Sequence, residues 1–107
     1  MEAKKTLAVY NRVKKLTKEG KLLWKEEADG NTFYTSISDF KIYIGKSAGR
    51  VSFELFNNLY TKIGVLEYGG YSPDVEGLDS FYLFVRKLIT KTEDGLDDLL
   101  DHLDKID

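Results

Sequence analysis

The amino-acid sequence predicts an α+β domain of two layers: an N-terminal helix, an antiparallel meander of four to five strands, and a C-terminal helix or helix pair packed on one face of the sheet. Three observations predict it. Apolar residues recur at helical spacing near both ends of the chain,. Through the middle they alternate strictly with polar ones, so one face of each strand is buried and the other is wet,. Short turns rich in Gly, Asn and Asp separate these stretches, and such turns join antiparallel neighbours.

The spacing predicts a helix over residues 3–19. Val9, Val13 and Leu16 fall on one stripe with Tyr10 beside it, and Gly20 is placed to stop the helix, because glycine takes the left-handed C′ conformation cheaply,. From Lys21 the period becomes two. "KLLWKEE" reads as a first strand and "ADGN" as a hairpin turn of the Asp-Gly kind. "TFYTSIS" puts Phe33, Thr35 and Ile37 inside, "FKIYIG" does the same with Phe40, Ile42 and Ile44, and "RVSFELF" with Val51, Phe53 and Leu55. "KSAG" and "NN" are turns, and a last strand falls within "LYTKIGVLEY" before "GGYSPDVEG" ends the sheet. Leu78, Phe81, Val85 and Leu88 then mark a helix to about residue 90. "KTEDG" reads as an interruption, with Thr92 or Asp94 as the cap of a final helix. In "LDDLLDHLDKI", Leu96, Leu99, Leu100, Leu103 and Ile106 share one stripe, opposite Asp97, Asp98, Asp101 and Asp104,. Helices on one face of one sheet bury all these stripes most simply.

The 107 residues make one domain, 1–107, and 42% hydrophobic with 32% charged residues is the balance of a folded, water-soluble chain,. With no cysteine, disulfides, thiolate nucleophiles and Cys-bound zinc are excluded,. No apolar run approaches the roughly 20 residues of a membrane span, and the first residues lack the apolar core of a signal peptide, so a cytoplasmic location is expected. The net charge of −2 conceals a segregation: residues 1–25 hold eight basic and two acidic groups, residues 74–107 four basic and ten acidic. Such polarity suits contact with a partner or with a second copy, and a dimer is the expected form.

Several motifs invite a catalytic or metal reading and fail it. Gly45-Lys46-Ser47 has the letters that end a phosphate-binding loop, but its first glycine position is Phe40, and a strand comes after it where a helix is required,. The aspartates of the last residues lack the ligand order of a calcium loop and are interleaved with leucines at helical period, and "ADGNTFYTSISD" has Phe33 where an oxygen ligand is needed. His102 is the only histidine and sits at the edge of the leucine stripe, a boundary position and not that of a general base,. No cofactor motif and no metal set are present, and no enzyme is expected.

The remaining features concern binding. Tyr34, Tyr43 and Phe56 alternate with core positions and project from the wet face, while Tyr60, Tyr68 and Tyr71 crowd the last strand and its exit. Aromatic groups exposed together are what interface cores are enriched in. Two arrangements satisfy the pattern, rings free on a wet face or rings covered by helices. The basic first helix, with Lys4, Lys5, Arg12, Lys14, Lys15 and Lys18, would contact phosphates, but an acidic pI of about 5.4 counts against a nucleic-acid partner,. Lys41, Lys46 and Arg50 are the candidates for contacts to a small anion.

The basic helix, the Trp-bearing first strand, the short meander and the ending "GLDDLLDHL" resemble small uncharacterised α+β accessory proteins of bacteria and phages. That resemblance implies a stand-alone protein acting by binding and brings no catalytic residues with it. The expected function is therefore a non-enzymatic protein-interaction or regulatory module, with Tyr34, Tyr43, Phe56, Tyr60 and Tyr68 as its surface. A binder of a small anionic metabolite or nucleotide, and weak nucleic-acid binding through the first helix, are the alternatives.

Overall fold

In the computed structural model, which describes residues 2–69 and 77–106, the order of elements is α1 (Glu2–Lys18), β1 (Lys25–Glu26), β2 (Thr32–Ile37), β3 (Phe40–Ser47), β4 (Arg50–Phe56), β5 (Lys62–Tyr68) and α2 (Leu78–Ile106). The five strands form one sheet in the order β1-β2-β3-β4-β5, antiparallel at every step. The α+β meander is thus as predicted, with both helices on one face. The segment around Tyr71 and Pro73 lies outside the described residues.

The strand faces obey the alternation. Phe33, Thr35, Ile42, Ile44, Val51, Phe53 and Leu55 are buried towards the helices. From α1 they receive Tyr10 and Val13, and from α2 Leu78, Phe81, Tyr82 and Val85. Ring contacts tie the layers together. Tyr10 meets Phe53 at 5.0 Å and Phe81 at 5.7 Å, both edge to face, and Tyr82 meets Phe33 at 5.6 Å.

The buried stripe of α1 differs in phase from the one expected. It is Thr6, Tyr10, Val13 and Thr17, while Val9 is exposed and Leu16 half-buried. Threonine can be buried here because its hydroxyl finds partners: Thr17 Oγ1 donates to the Val13 carbonyl at 2.7 Å and accepts from Trp24 Nε1 at 3.0 Å,. The helix stops at Gly20 through two bonds of a Schellman motif, Gly20 N–H to the Thr17 carbonyl and Lys21 N–H to the Leu16 carbonyl,. The first strand is also shorter than expected. Only Lys25–Glu26 pair with β2, because Trp24 is committed to Thr17 and to the edge of Phe81 at 6.0 Å.

Two backbone features set the details. β3 and β4 join through Ala48 and Gly49, at φ 52° and 77°, the two left-handed residues of a type I′ hairpin,. Gly45, Lys46 and Ser47 therefore belong to the end of β3, and the corner lies beyond them. On β5, Leu55 faces Gly64 while Phe56 faces Lys62, so Ile63 is the extra residue of a bulge,. Beyond that bulge Gly64 lies directly under α1, where an added Cβ would stand 2.7 Å from Thr6 Oγ1.

The C-terminal half of α2 departs furthest from expectation. No break occurs at residues 91–95: the helix is continuous for 29 residues, about 43 Å,. An interior glycine costs about 1 kcal/mol relative to alanine. Of the close neighbours of Gly95, Glu93, Leu96, Leu99 and Leu100 are good helix formers, whereas Thr92, Asp94, Asp97 and Asp98 are not,. The first three turns lie on the sheet, with Ile89 the last side chain packed against the core. Leu96, Leu99, Leu100, Leu103 and Ile106 do not reach the sheet and are more than half exposed. The radius of gyration of 15.9 Å, against about 13 Å for a compact chain of this length, records the projection,. The side chains of residues 91–95, among them the expected caps Thr92 and Asp94, and those of Asp97 and Asp98 lie outside the described residues.

Two substitutions test this architecture. Gly64→Ala drives a methyl into Thr6 and is expected to lower stability by about 1–3 kcal/mol, read as a lower urea midpoint at unchanged m. Ala48→Asn relieves a left-handed alanine and creates the preferred Asn-Gly pair, so the midpoint is expected to rise by the equivalent of about 1 kcal/mol. A fall would show that the hairpin is not type I′.

Candidate interaction surface

The face of the sheet turned away from both helices is built from three cross-strand rows. Registers place Ser36, Lys41, Phe56 and Lys62 in one row, Tyr34, Tyr43, Glu54 and Val65 in the next, and Thr32, Gly45, Ser52 and Glu67 in the third. Tyr34 and Tyr43 are direct neighbours, with ring centroids 5.8 Å apart. Tyr43 and Phe56 meet diagonally at 5.4 Å, edge to face. The three rings form one unbroken ridge. They are half-buried by one another and by lysine stems, not by helices.

Lysines fix the flanks of this ridge. The Lys41 ammonium stands 5.8 Å from the Tyr34 centroid and 5.5 Å from that of Tyr60, and Lys62 lies 5.9 Å from the Phe56 ring,. Tyr60 is brought there by the β4–β5 turn. Asn57 Oδ1 accepts the Leu59 and Thr61 amides, Tyr60 takes φ 59°, and its ring remains 71% exposed. Lys62 also pairs with Glu54. That hydrogen bond first, and the Glu54 charge second, hold the ammonium above its ordinary pKa.

Beside the ridge the third row carries small groups at Thr32, Gly45 and Ser52, leaving a groove of about 750 Å³ bordered by Asp29, Tyr43, Lys46, Glu54 and Arg86. Its charges are balanced, two carboxylates against two cations. At its rim Asp29 accepts hydrogen bonds from the Asn31 and Thr32 amides, at 2.9 and 3.0 Å, and from Thr32 Oγ1 at 2.9 Å. These bonds, the Asn31 amide above all, keep its carboxyl below the ordinary 3.8.

Of the residues expected at the surface, Tyr34, Tyr43, Phe56 and Tyr60 come together. Tyr68 does not. It lies opposite Val51 on the helix side and packs against the core, because the bulge at Ile63 sets which of the last residues of β5 face inward. The cations proposed for an anion do not converge either. Lys41 and Lys46 sit five residues apart on β3, roughly 17 Å,. Lys46 pairs with Asp79 at 3.4 Å and Arg50 with Glu67 at 3.8 Å. On α1, Lys4, Lys5, Arg12, Lys15 and Lys18 are exposed, whereas Lys14 leans over the Tyr10 ring at 4.9 Å. His102 is exposed on the projecting half of α2.

One apolar feature was hidden from sequence reading. Val9, Ile37, Phe40 and Ile63 line a shallow dish of about 250 Å³ at the end of the sheet, floored by Ile42 and Leu55. The exposure of Val9 signals it only once the phase of α1 is known. Among the described residues no group of three His, Asp or Glu side chains comes together as a metal site, and no helix is long and apolar enough to cross a membrane. Comparison with protein-family models, with curated proteins and with solved structures finds no match.

The Asp29 bonds carry a pH signature. A carboxyl whose folded pKa lies below its unfolded one contributes stability that is complete above the unfolded value and is lost as pH falls through the folded one. The difference in melting temperature between the wild type and Asp29→Asn is therefore expected to be widest near about pH 6 and to shrink below about pH 3.5. A difference constant across that range would mean that the charge contributes nothing.

Proposed function

We propose that this domain is a non-enzymatic protein-interaction or regulatory module that binds a protein partner through the ring-bearing face of its sheet. The observation that carries this reading is the unbroken contact Tyr34–Tyr43–Phe56 on the face opposite both helices. Aromatic side chains supply the largest share of binding energy at protein interfaces, and they do so best when little rotamer freedom remains to be lost. Here each ring is held by a neighbouring ring or a lysine before any partner arrives.

The surroundings favour a protein over the other partners. On the same face Glu54 pairs with Lys62 and Glu67 with Arg50, beside Lys25 and Lys41, so the ridge has an apolar centre and a mixed-charge rim, the anatomy of a protein interface,. Single-stranded nucleic acid would also stack on rings, but it calls for a strongly basic protein, and this chain carries a net charge of −2,. A small anion would need converging cations, and Lys46 and Arg50 each face a carboxylate. In this reading the domain works in the cytoplasm, without a cofactor, as an accessory protein of the bacterial or phage kind.

Affinity capture from the producing cell, followed by titration of the retained protein, tests the proposal. Tyr34→Ala with Tyr43→Ala is expected to weaken that partner by roughly 30-fold or more, about 2 kcal/mol. The cost to folding stability is expected to be about 1 kcal/mol, and Tyr34→Phe is expected to bind as the wild type does. Unchanged affinity in a folded double variant would remove the sheet face from the function.

A further inference from the structure

The stripe of α2 gathers five of the exposed large apolar side chains of the described residues along one helix. Leu96, Leu99, Leu100 and Leu103 are between 51% and 58% exposed, and Ile106 is 80% exposed. Their spacing is that of a helix-pairing seam: Ile89, Leu96 and Leu103 recur every seven residues, as do Leu99 and Ile106, which are positions a and d of a heptad,. Asp101 and Asp104 fall at positions f and b, away from the seam. Positions e and g carry Leu88, Glu93, Gly95, Leu100 and His102, so almost no like charge flanks it,.

We propose that a second copy of this chain covers the stripe, through an antiparallel pairing of the two projecting helices. The helix dipoles set the direction, and charge adds to it. The helix is basic where it leaves the sheet, at Arg86, Lys87 and Lys91, and mostly acidic beyond, at Glu93, Asp94, Asp97, Asp98, Asp101 and Asp104, with Lys105 the exception. A parallel pair aligns the dipoles and sets every acid level with its own copy, whereas an antiparallel pair opposes the dipoles and brings Lys91 level with Asp104, leaving Asp94, Asp97, Asp98 and Asp101 level with one another on positions away from the seam,. The heptads fix the register. Leu96 of each copy meets Leu99 of the other at the centre, Leu103 comes level with Thr92, the one polar residue at a d position, and Ile89, half-buried at the edge of the core, meets Ile106 at each end.

The dimensions agree. Residues 89–106 span about 26 Å of helix, which keeps the two sheets at opposite ends of the pair. Five aliphatic side chains more than half exposed present roughly 500 Å² per copy, about 1,000 Å² for two, the lower limit of a specific interface. The surface is distinct from the sheet face, and the pairing stands whether or not that face binds a partner.

Light scattering at roughly 100 μM, where even a micromolar dimer is populated, is expected to give twice the chain mass of 12.3 kDa,. Leu96→Asp with Leu103→Asp is expected to halve that mass and leave the circular dichroism melt intact, since both side chains are exposed. The Tyr34→Ala, Tyr43→Ala variant is expected to remain dimeric. With no native cysteine, introduced thiols report the direction. A mixture of Leu96→Cys and Leu99→Cys copies is expected to form the mixed disulfide, and Leu103→Cys copies are expected not to crosslink to each other. A monomeric wild type, a dimer indifferent to the Leu96 and Leu103 substitutions, or ready Leu103→Cys crosslinking would each overturn the antiparallel pair.

Discussion

The fold hangs on the ring of Tyr10. Fully buried, it touches Phe53 in the middle of the sheet and Phe81 in the first turn of α2, so one side chain joins three elements that are far apart in sequence. Trp24 reaches the same Phe81 and is held by Thr17 on the helix that carries Tyr10, which closes the cluster. Edge-to-face contacts of this kind constrain orientation as well as distance. They fix α1 and the start of α2 on the same side of the sheet, and the opposite side is left to its own residues.

That one-sidedness explains why the outer rings are arranged as they are. A face with no helix over it cannot bury large aromatic groups by layering, so they bury one another: Tyr34 beside Tyr43, Tyr43 against Phe56, with lysine stems laid over the remaining ring surface. Cross-strand pairs of this type add tenths of a kcal/mol to about 1 kcal/mol each to the sheet. The same contacts that support the strands also hold the rings in fixed orientations. Under the proposed function, stability and recognition would be served by one set of atoms.

Much of this was legible in the sequence, and the failures share a cause. Alternation identified the faces of β2, β3 and β4, because a period of two has only two phases and the polar residues decide between them, but Ile37 and Phe40, expected inside, are exposed at the rim of the dish at the end of the sheet,. It failed on β5, where Ile63, Val65, Leu66 and Tyr68 satisfy both phases and a bulge makes the choice. It failed on α1, because Thr6 and Thr17 read as polar although each is buried, and the Thr17 hydroxyl is satisfied internally. The first strand shrank because Trp24 was counted as a strand residue when its indole N–H was committed to α1. On α2 the pattern correctly marked an apolar stripe beyond residue 95, but amphipathicity states only that a face seeks cover, not whether its own chain supplies it.

The two exposed apolar surfaces therefore differ in kind. The ring ridge is already half satisfied within the domain, so its exposure costs the isolated protein little. The stripe on α2 has no such support. At about 25 cal/mol per Å², roughly 500 Å² of exposed aliphatic surface forgoes more than 10 kcal/mol of burial, a gross figure before the entropy of ordering a partner. A free helix of this kind frays or aggregates unless something restrains it. The aspartates on its far side keep it in water but cannot cover its leucines. A body too small to wrap its own last helix leaves that stripe as the one large apolar face which the proposed pairing, and no packing of the described residues, would cover.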